Sequence, residues 1–261
     1  MRSLDIGATG MLAQQTNVDV ISNNIANMTT SGFKRQRAAF QDLIYQNIDR
    51  PGSTSSDAAT TVPSGIQMGL GVRTGSVYRM HGQGALKITD NPLDLALTGE
   101  GYFQVQMPNG DISYTRDGTF QMNQNGEIVT VQGYLVDPGI TIPADATSID
   151  INASGEVSVK IPGQTASQVV GQMQLAGFAN PAGLEAIGDN FFIETDASGT
   201  PNTGVAGADE FGAIRQGALE QSNVNVVEEM TELIAAQRAY EMNSNIISTS
   251  DEMLQTITQL R

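Results

Sequence analysis

Apolar side chains recur every seven residues at both ends of the chain, and the middle shows no such period. Leu4, Met11, Val18 and Ile25 mark the first stripe, flanked by Ala8, Ile21 and Met28. Val226, Leu233, Tyr240, Ile247 and Leu254 mark the second, widened by Met230, Ala236, Ile257 and Leu260. This is the spacing of one face of a packed helix, and such a face is stable only against other helices. The first stripe predicts a helix over residues 4–27, stopped by the Asn23, Asn24, Asn27 cluster and the Thr29-Thr30-Ser31-Gly32 turn. Gly7 and Gly10 each lower its helix propensity by about 1 kcal/mol relative to Ala. The helix is therefore expected to depend on partners. The second helix is expected from Leu219 onward, with Ser222, Asn223 or Asn225 as its cap. Gln237, Ser244 and Asp251 fall near its seam, which suits a many-helix layer better than a two-stranded zipper.

Between the helices the pattern is that of short strands and sharp turns. Strands are expected near 72–80, 85–88, 102–107, 128–131, 148–151, 157–161, 168–176 and 190–194. Asn109-Gly110, Asp117-Gly118 and Asn125-Gly126 are turn signals, each with a residue that tolerates positive φ. Residues 198–209 read as a loop. The predicted fold class is mixed α and β, with long terminal helices in an inner, coiled-coil-like layer and a β-rich outer body. The expected domains are 1–32 with 219–261 as a helical assembly domain and 33–93 with 138–218 as a β-rich core. Residues 94–137 form a hairpin-rich part of the body, and the polar stretch 46–65 an extended loop or hairpin that packs on something else.

Charge sharpens this division. The chain carries a formal net charge of -15, which argues against nucleic acid or an anionic membrane as partner. Residues 1–50 hold five basic and four acidic side chains, whereas residues 86–217 hold four and sixteen. The cluster Lys34, Arg35, Arg37 is assigned to pairing with the acidic body of a neighbouring subunit, or to an anion.

Catalytic signals are absent from the sequence. With no Cys, thiolate chemistry and Cys-based zinc sites are excluded. His81 is the single histidine, stands in a Gly-rich turn and has no nucleophile motif around it, so it reads as structural or surface-lying. Glu228-Glu229 and Asp251-Glu252 are adjacent on a predicted helix and diverge around it. Asp150 to Gly155 imitates half a calcium loop, but its twelfth position is Ile161. No cofactor and no catalytic or metal residue is expected. No run approaches the roughly 18 apolar residues of a spanning helix, and the first twenty residues lack the apolar core of a secretory signal.

Several motifs in fixed order resemble the flagellar rod and hook family. Ser3-Leu4 through Gln14-Gln15-Thr16, then Asp19 to Asn27 and Thr30-Ser31-Gly32-Phe33-Lys34-Arg35, are similar to its N-terminal signature, with Ser31 where the family often has Asn. Gly99 to Phe103 and Tyr114 to Phe120 match its middle, and Glu220 to Asn225 with Gln237-Arg238-Ala239-Tyr240-Glu241 its C-terminal motif. The motif residues so marked are Asn23, Asn24, Asn27, Gly32, Phe33, Lys34, Ser222, Asn223, Asn225, Gln237, Arg238 and Tyr240. The assembly interface is expected along Leu4, Met11, Val18, Ile25, Val226, Met230, Leu233, Tyr240, Ile247 and Leu254. The resemblance implies a helical homopolymer in the distal rod, built without a cleaved signal through the flagellar export apparatus. Its implied neighbours are proximal rod proteins, hook or hook-junction subunits and the surrounding P-ring and L-ring proteins. A proximal rod or hook subunit is the alternative within the family. A cell-envelope polysaccharide-active or polysaccharide-binding protein is the alternative outside it.

Overall fold

The computed structural model describes residues 2–49, 64–163, 166–208 and 211–259. The chain divides into two compact units. One gathers residues 1–25, 36–78 and 225–261; the other holds 26–35 and 79–224. Residues 36–78 thus cluster with the terminal helices, where the sequence grouped most of them with the β-rich core.

The first unit contains helix α1 (Arg2–Ala26), strands β1 (Gln36–Asp42), β2 (Tyr45–Asp49), β3 (Ile66–Gly69) and β4 (Val72–Arg79), and helix α2 (Val226–Gln259). β1 pairs with β4. β2 and β3 pair antiparallel with Tyr45 opposite Gly69, so the described ends of the 46–65 stretch form a ladder. The rest of that stretch, 50–63, lies outside the described residues. α2 begins seven residues later than expected from Leu219, because Ala218–Glu220 forms a strand instead. Asn225 is the cap: its Oδ1 accepts the Val227 N–H at 3.2 Å, satisfying one of the open donors of the first turn.

The second unit runs through β5 (Leu86–Ile88), β6 (Leu95–Thr98), β7 (Tyr102–Gln106), β8 (Ile112–Thr115), β9 (Phe120–Met122), β10 (Ile128–Thr130) and β11 (Leu135–Val136). β12 (Ser148–Ile151), β13 (Glu156–Lys160), β14 (Gln168–Gln172), β15 (Gln174–Gly177), β16 (Glu185–Gly188) and β17 (Phe191–Ile193) follow. β18 (Asn202–Val205), β19 (Ala213–Gln216) and β20 (Ala218–Glu220) complete it. Its main sheet has nine strands, ordered β16-β17-β8-β7-β11-β10-β9, with β15 joining β7 to β18. β12, β13 and β14 make a separate three-stranded sheet, so the single strand expected over 168–176 is two strands in different sheets. The loop expected over 198–209 contains β18, whose Gly and Thr gave no apolar alternation to read.

β7 explains how this unit closes. Phe103 and Val105 are fully buried, Phe103 in a core with Phe120, Val157, Leu175 and Ile214. Tyr102 points to the opposite face and a second cluster with Tyr114, Leu184 and Phe192. With successive side chains on opposite faces, both faces of the strand are covered. Phe103 and Phe120 meet edge to face at 5.1 Å. Gly118 does not take positive φ as the turn reading supposed; a Cβ there would overlap the Leu95 carbonyl, whose own N–H donates to the Gly118 carbonyl.

Candidate assembly surface and its buried polar anchors

α1 and α2 pack antiparallel. Ser250 Oγ donates to Ser3 Oγ at 3.1 Å, and Asn24 Nδ2 donates to Glu229 Oε2 at 3.1 Å near the other end. Between them, Gly7 faces Ile247 and Gly10 faces Asn243: an added Cβ would stand 3.0 Å from Ile247 Cγ1 and 2.8 Å from Asn243 Nδ2. The two glycines are therefore sites of close backbone approach, which offsets their cost in helix propensity. The apolar positions Val226, Leu233, Ile247 and Leu254 are half-buried. The most deeply covered positions of α2 are Glu229, Ala236 and Ser250, three to four residues out of phase with that stripe. Small and polar side chains thus share the seam with apolar ones such as Ile247.

The expected interface residues fall on a surface that the pair covers only in part. Leu4, Met11, Val18 and Ile25 are half-buried, while Tyr240 is 43% exposed and Met230 53%. Met230 is thus exposed on α2, as are Val227, Ile234, Met242, Ile246, Met253 and Ile257. Leu12, 65% exposed, and Ile6 are their counterparts on α1. Val18, Gln237 and Tyr240 line one open cavity of about 390 Å³ with Gln15 and Glu241, and Arg238 is exposed.

Most motif residues hold the chain itself. Asn24 is 1% exposed, and its Oδ1 accepts the Gln36 N–H at 2.8 Å while its Nδ2 donates to the Gln36 carbonyl at 2.9 Å. The side chain thereby completes the start of β1 like a strand partner. Asn27 accepts the Thr30 hydroxyl at 3.2 Å in the turn after α1, and Asn23 is exposed. Gly32 has φ +68, and backbone of Arg116 and Asp117 lies where a Cβ would stand. Phe33 is half-buried.

Within the β-rich unit a buried charge network forms around Glu220. Lys34 Nζ lies 2.7 Å from Glu220 Oε1 and Arg116 Nη1 3.3 Å from Oε2, all three residues less than 5% exposed. Lys34 also donates to the Gly82 carbonyl, Arg116 to the Gly99 carbonyl at 2.7 Å, and the Gly84 N–H to Glu220 Oε1 at 2.8 Å. Burial holds the Lys34 ammonium below its usual pKa, and Glu220 acts in the opposite sense. Lys34 is thus an intrachain anchor, which corrects its assignment to a neighbouring subunit or an anion. Asn223 ties three segments, accepting the Arg35 N–H at 2.7 Å and donating to the Met80 and Gly82 carbonyls. Ser222, buried, accepts the Val224 N–H at 3.3 Å. Arg116 and Glu220 carried no signal as a pair, since 104 residues separate them.

His81 sits beside this network. Its Nδ1 is 2.7 Å from the Tyr102 hydroxyl, and burial followed by the Lys34, Arg79 and Arg116 cations pushes its pKa down to about 4. Among the described residues no group of three or more His, Asp or Glu is placed to hold a metal ion.

Three family models match the chain in order. The flagella basal body rod protein model covers residues 4–34, the flagellar hook protein FlgE/F/G D1 domain 96–159, and the flagellar basal body rod FlgEFG protein C-terminal model 215–260. The flagellar basal-body rod protein FlgG of Caulobacter vibrioides is 58% identical over the full length of both chains. The chain belongs to the FlgG family of flagellar basal-body rod proteins. FlgG of Borreliella burgdorferi is 45% identical over 100% of this chain and 99% of its own, and FlgG of Bacillus subtilis 40% over the same shares. Each of the three matched FlgG segments supplies one charge to the buried network: Lys34, Arg116 and Glu220.

Proposed function

We propose that this rod protein is the structural subunit of the distal rod, polymerising through its helix pair into a rigid hollow driveshaft that crosses the periplasm towards the outer membrane. The carrying observation is the number of large apolar side chains that the helix pair leaves in solvent, Leu12, Val227, Met230, Ile234, Met242 and Ile257 among them. Exposed apolar groups in such number mark association surfaces, and repetition of one heterologous contact builds a helical filament. Leu4, Met11, Val18, Ile25, Val226, Met230, Leu233, Tyr240, Ile247 and Leu254 are the proposed contact positions, together with the exposed Leu12, Val227, Ile234, Met242 and Ile257. The role is mechanical, not catalytic: torque passes to the hook through repeated contacts, and export substrates pass through the channel. The proposed neighbours are further copies, proximal rod proteins, hook or hook-junction subunits, the P-ring and L-ring, and the export apparatus. The 46–65 stretch, which carries the exposed Ile48 and is flanked by the exposed Tyr45, Ile66 and Met68, is proposed to lock adjacent copies and stiffen the rod. The test is deletion of the gene followed by microscopy of purified basal bodies. Rods that stop short and lack hooks are expected; full-length rods with hooks would overturn the reading.

A further inference from the structure

The β-rich unit is acidic except at one place. Residues 26–35 and 79–224 hold seven basic and seventeen acidic side chains. Three of the seven, Lys34, Arg79 and Arg116, act together on His81, and Glu220, paired with two of them, leaves the group with positive charge in excess. Beside His81 opens a cavity of about 260 Å³, walled by Tyr102, Phe178 and Phe211, with Arg116 and His81 in its lining and the exposed Glu100 alongside. The Nε of Arg116 and the Nε2 of His81 are buried, and neither makes a hydrogen bond among the described residues. Arg116 is 4% exposed and lies over the Tyr102 ring at 5.4 Å, so it cannot swing out to water to satisfy that donor. Buried donors of this kind cost free energy unless a partner reaches them.

We propose that this cavity is a socket for one carboxylate side chain of a second copy of the chain, its oxygens towards Arg116 and His81 and its stem against Tyr102, Phe178 and Phe211. The volume admits a side chain and not a folded element. Charge complementarity selects the occupant: copies with so acidic a unit repel one another when crowded, and a carboxylate seated beside buried cations relieves that repulsion. The choice of a second copy rests on the rod-subunit reading; the socket's preference for a carboxylate does not.

Two measurements test this. In the isolated chain, the single histidine is followed by NMR during titration with N-acetyl-glutamate methylamide, one glutamate side chain between two peptide bonds. The His81 signal is expected to shift and saturate, and the exposed substitution Glu100→Gln to tighten the affinity roughly threefold by removing a like charge. No saturable shift, or an affinity unchanged in Glu100→Gln, overturns the socket. In purified basal bodies, Thr200→Lys places an amine at the cavity lining, and a carbodiimide then links it to any carboxylate within reach. The expected product is a dimer of this chain joining residue 200 to an acidic residue of another copy. Links confined to Glu100 of the same chain, or to a different protein, overturn the choice of occupant. Absence of the chain from basal bodies counts against the rod reading and leaves the NMR result to decide the socket.

Discussion

Phe103, Val105, Val157 and Leu175 of the β-rich unit are wholly enclosed, whereas the helix pair hides Gly7, Ala13, Ala236 and Ser250 and leaves Leu12, Val227, Met242 and Ile257 in solvent. The β-rich unit completes its core with its own aromatic and branched side chains. The helix pair does so only in part: it buries Val20 and Ile21, mixes small and polar groups into its seam, and leaves many of its larger apolar groups outside. A fold that ends with its apolar surface inside needs no partner. A pair of helices that leaves much of it outside has surface to offer to further helices, which is the basis of the assembly proposed above.

The comparison breaks most visibly at assembly. Leu233→Asp or Val18→Pro is expected to abolish rods while near-ultraviolet circular dichroism of the isolated chain keeps the signature of a packed β-rich unit; normal rods would show that the helix pair is not the contact surface. Next in size, Glu220→Gln leaves Lys34 and Arg116 buried without their counter-charge, and Phe103→Ala opens a cavity in the closed core. Each is expected to cost about 3–5 kcal/mol in urea unfolding of the isolated chain, with assembly following only as a consequence. Gly10→Leu drives a side chain into Asn243 and is expected to cost about 1–3 kcal/mol, read as loss of helical signal in the assembled protein. A loss in unassembled chain equal to that in the polymer would mean that the seam is already complete in the monomer.

The smallest effect is a pH slope. His81 is held at a pKa of about 4 against 6.5 for the free side chain, so the unfolded chain binds more protons between these values. Its contribution is whole above pH 6.5 and falls as pH drops towards 4. The limit is about 1.4 kcal/mol per pH unit, lessened because the ring is partly exposed. His81→Phe is expected to flatten that part of the stability profile, and an unchanged slope would show that the cations do not act on this ring.

The two regions also differ in how far they can be read from sequence. Heptad spacing located both helices and the apolar half of the α2 repeat, because Leu233, Ile247 and Leu254 are unmistakable as apolar residues. Glu229, Asn243 and Ser250, which face α1, are polar or small and look like solvent positions until a partner helix is present. Gly7 and Gly10 read as weaknesses for the same reason. In the β-rich body the turns at Asn109-Gly110 and Asn125-Gly126 were legible, both glycines having positive φ. The splitting of 168–176 between two sheets was not, since Gln168–Gln172 is largely exposed while Leu175 and Ala176 are both buried, so no alternation marks the break. The Lys34–Glu220–Arg116 network was invisible for a different reason: an ion pair formed across more than a hundred residues leaves no local pattern. Lys34 and Arg35 looked like one basic surface cluster, and burial separated Lys34 from it.

Electron cryomicroscopy of native basal bodies at side-chain resolution decides whether the helix pair finds its missing contacts in other copies. The account predicts this chain along the distal rod, with α1 and α2 around the channel and Val227, Ile234, Met242 and Ile257 covered by neighbouring copies. Density for the chain in which those side chains remain in solvent, or in which copies meet only through the β-rich unit, would contradict it.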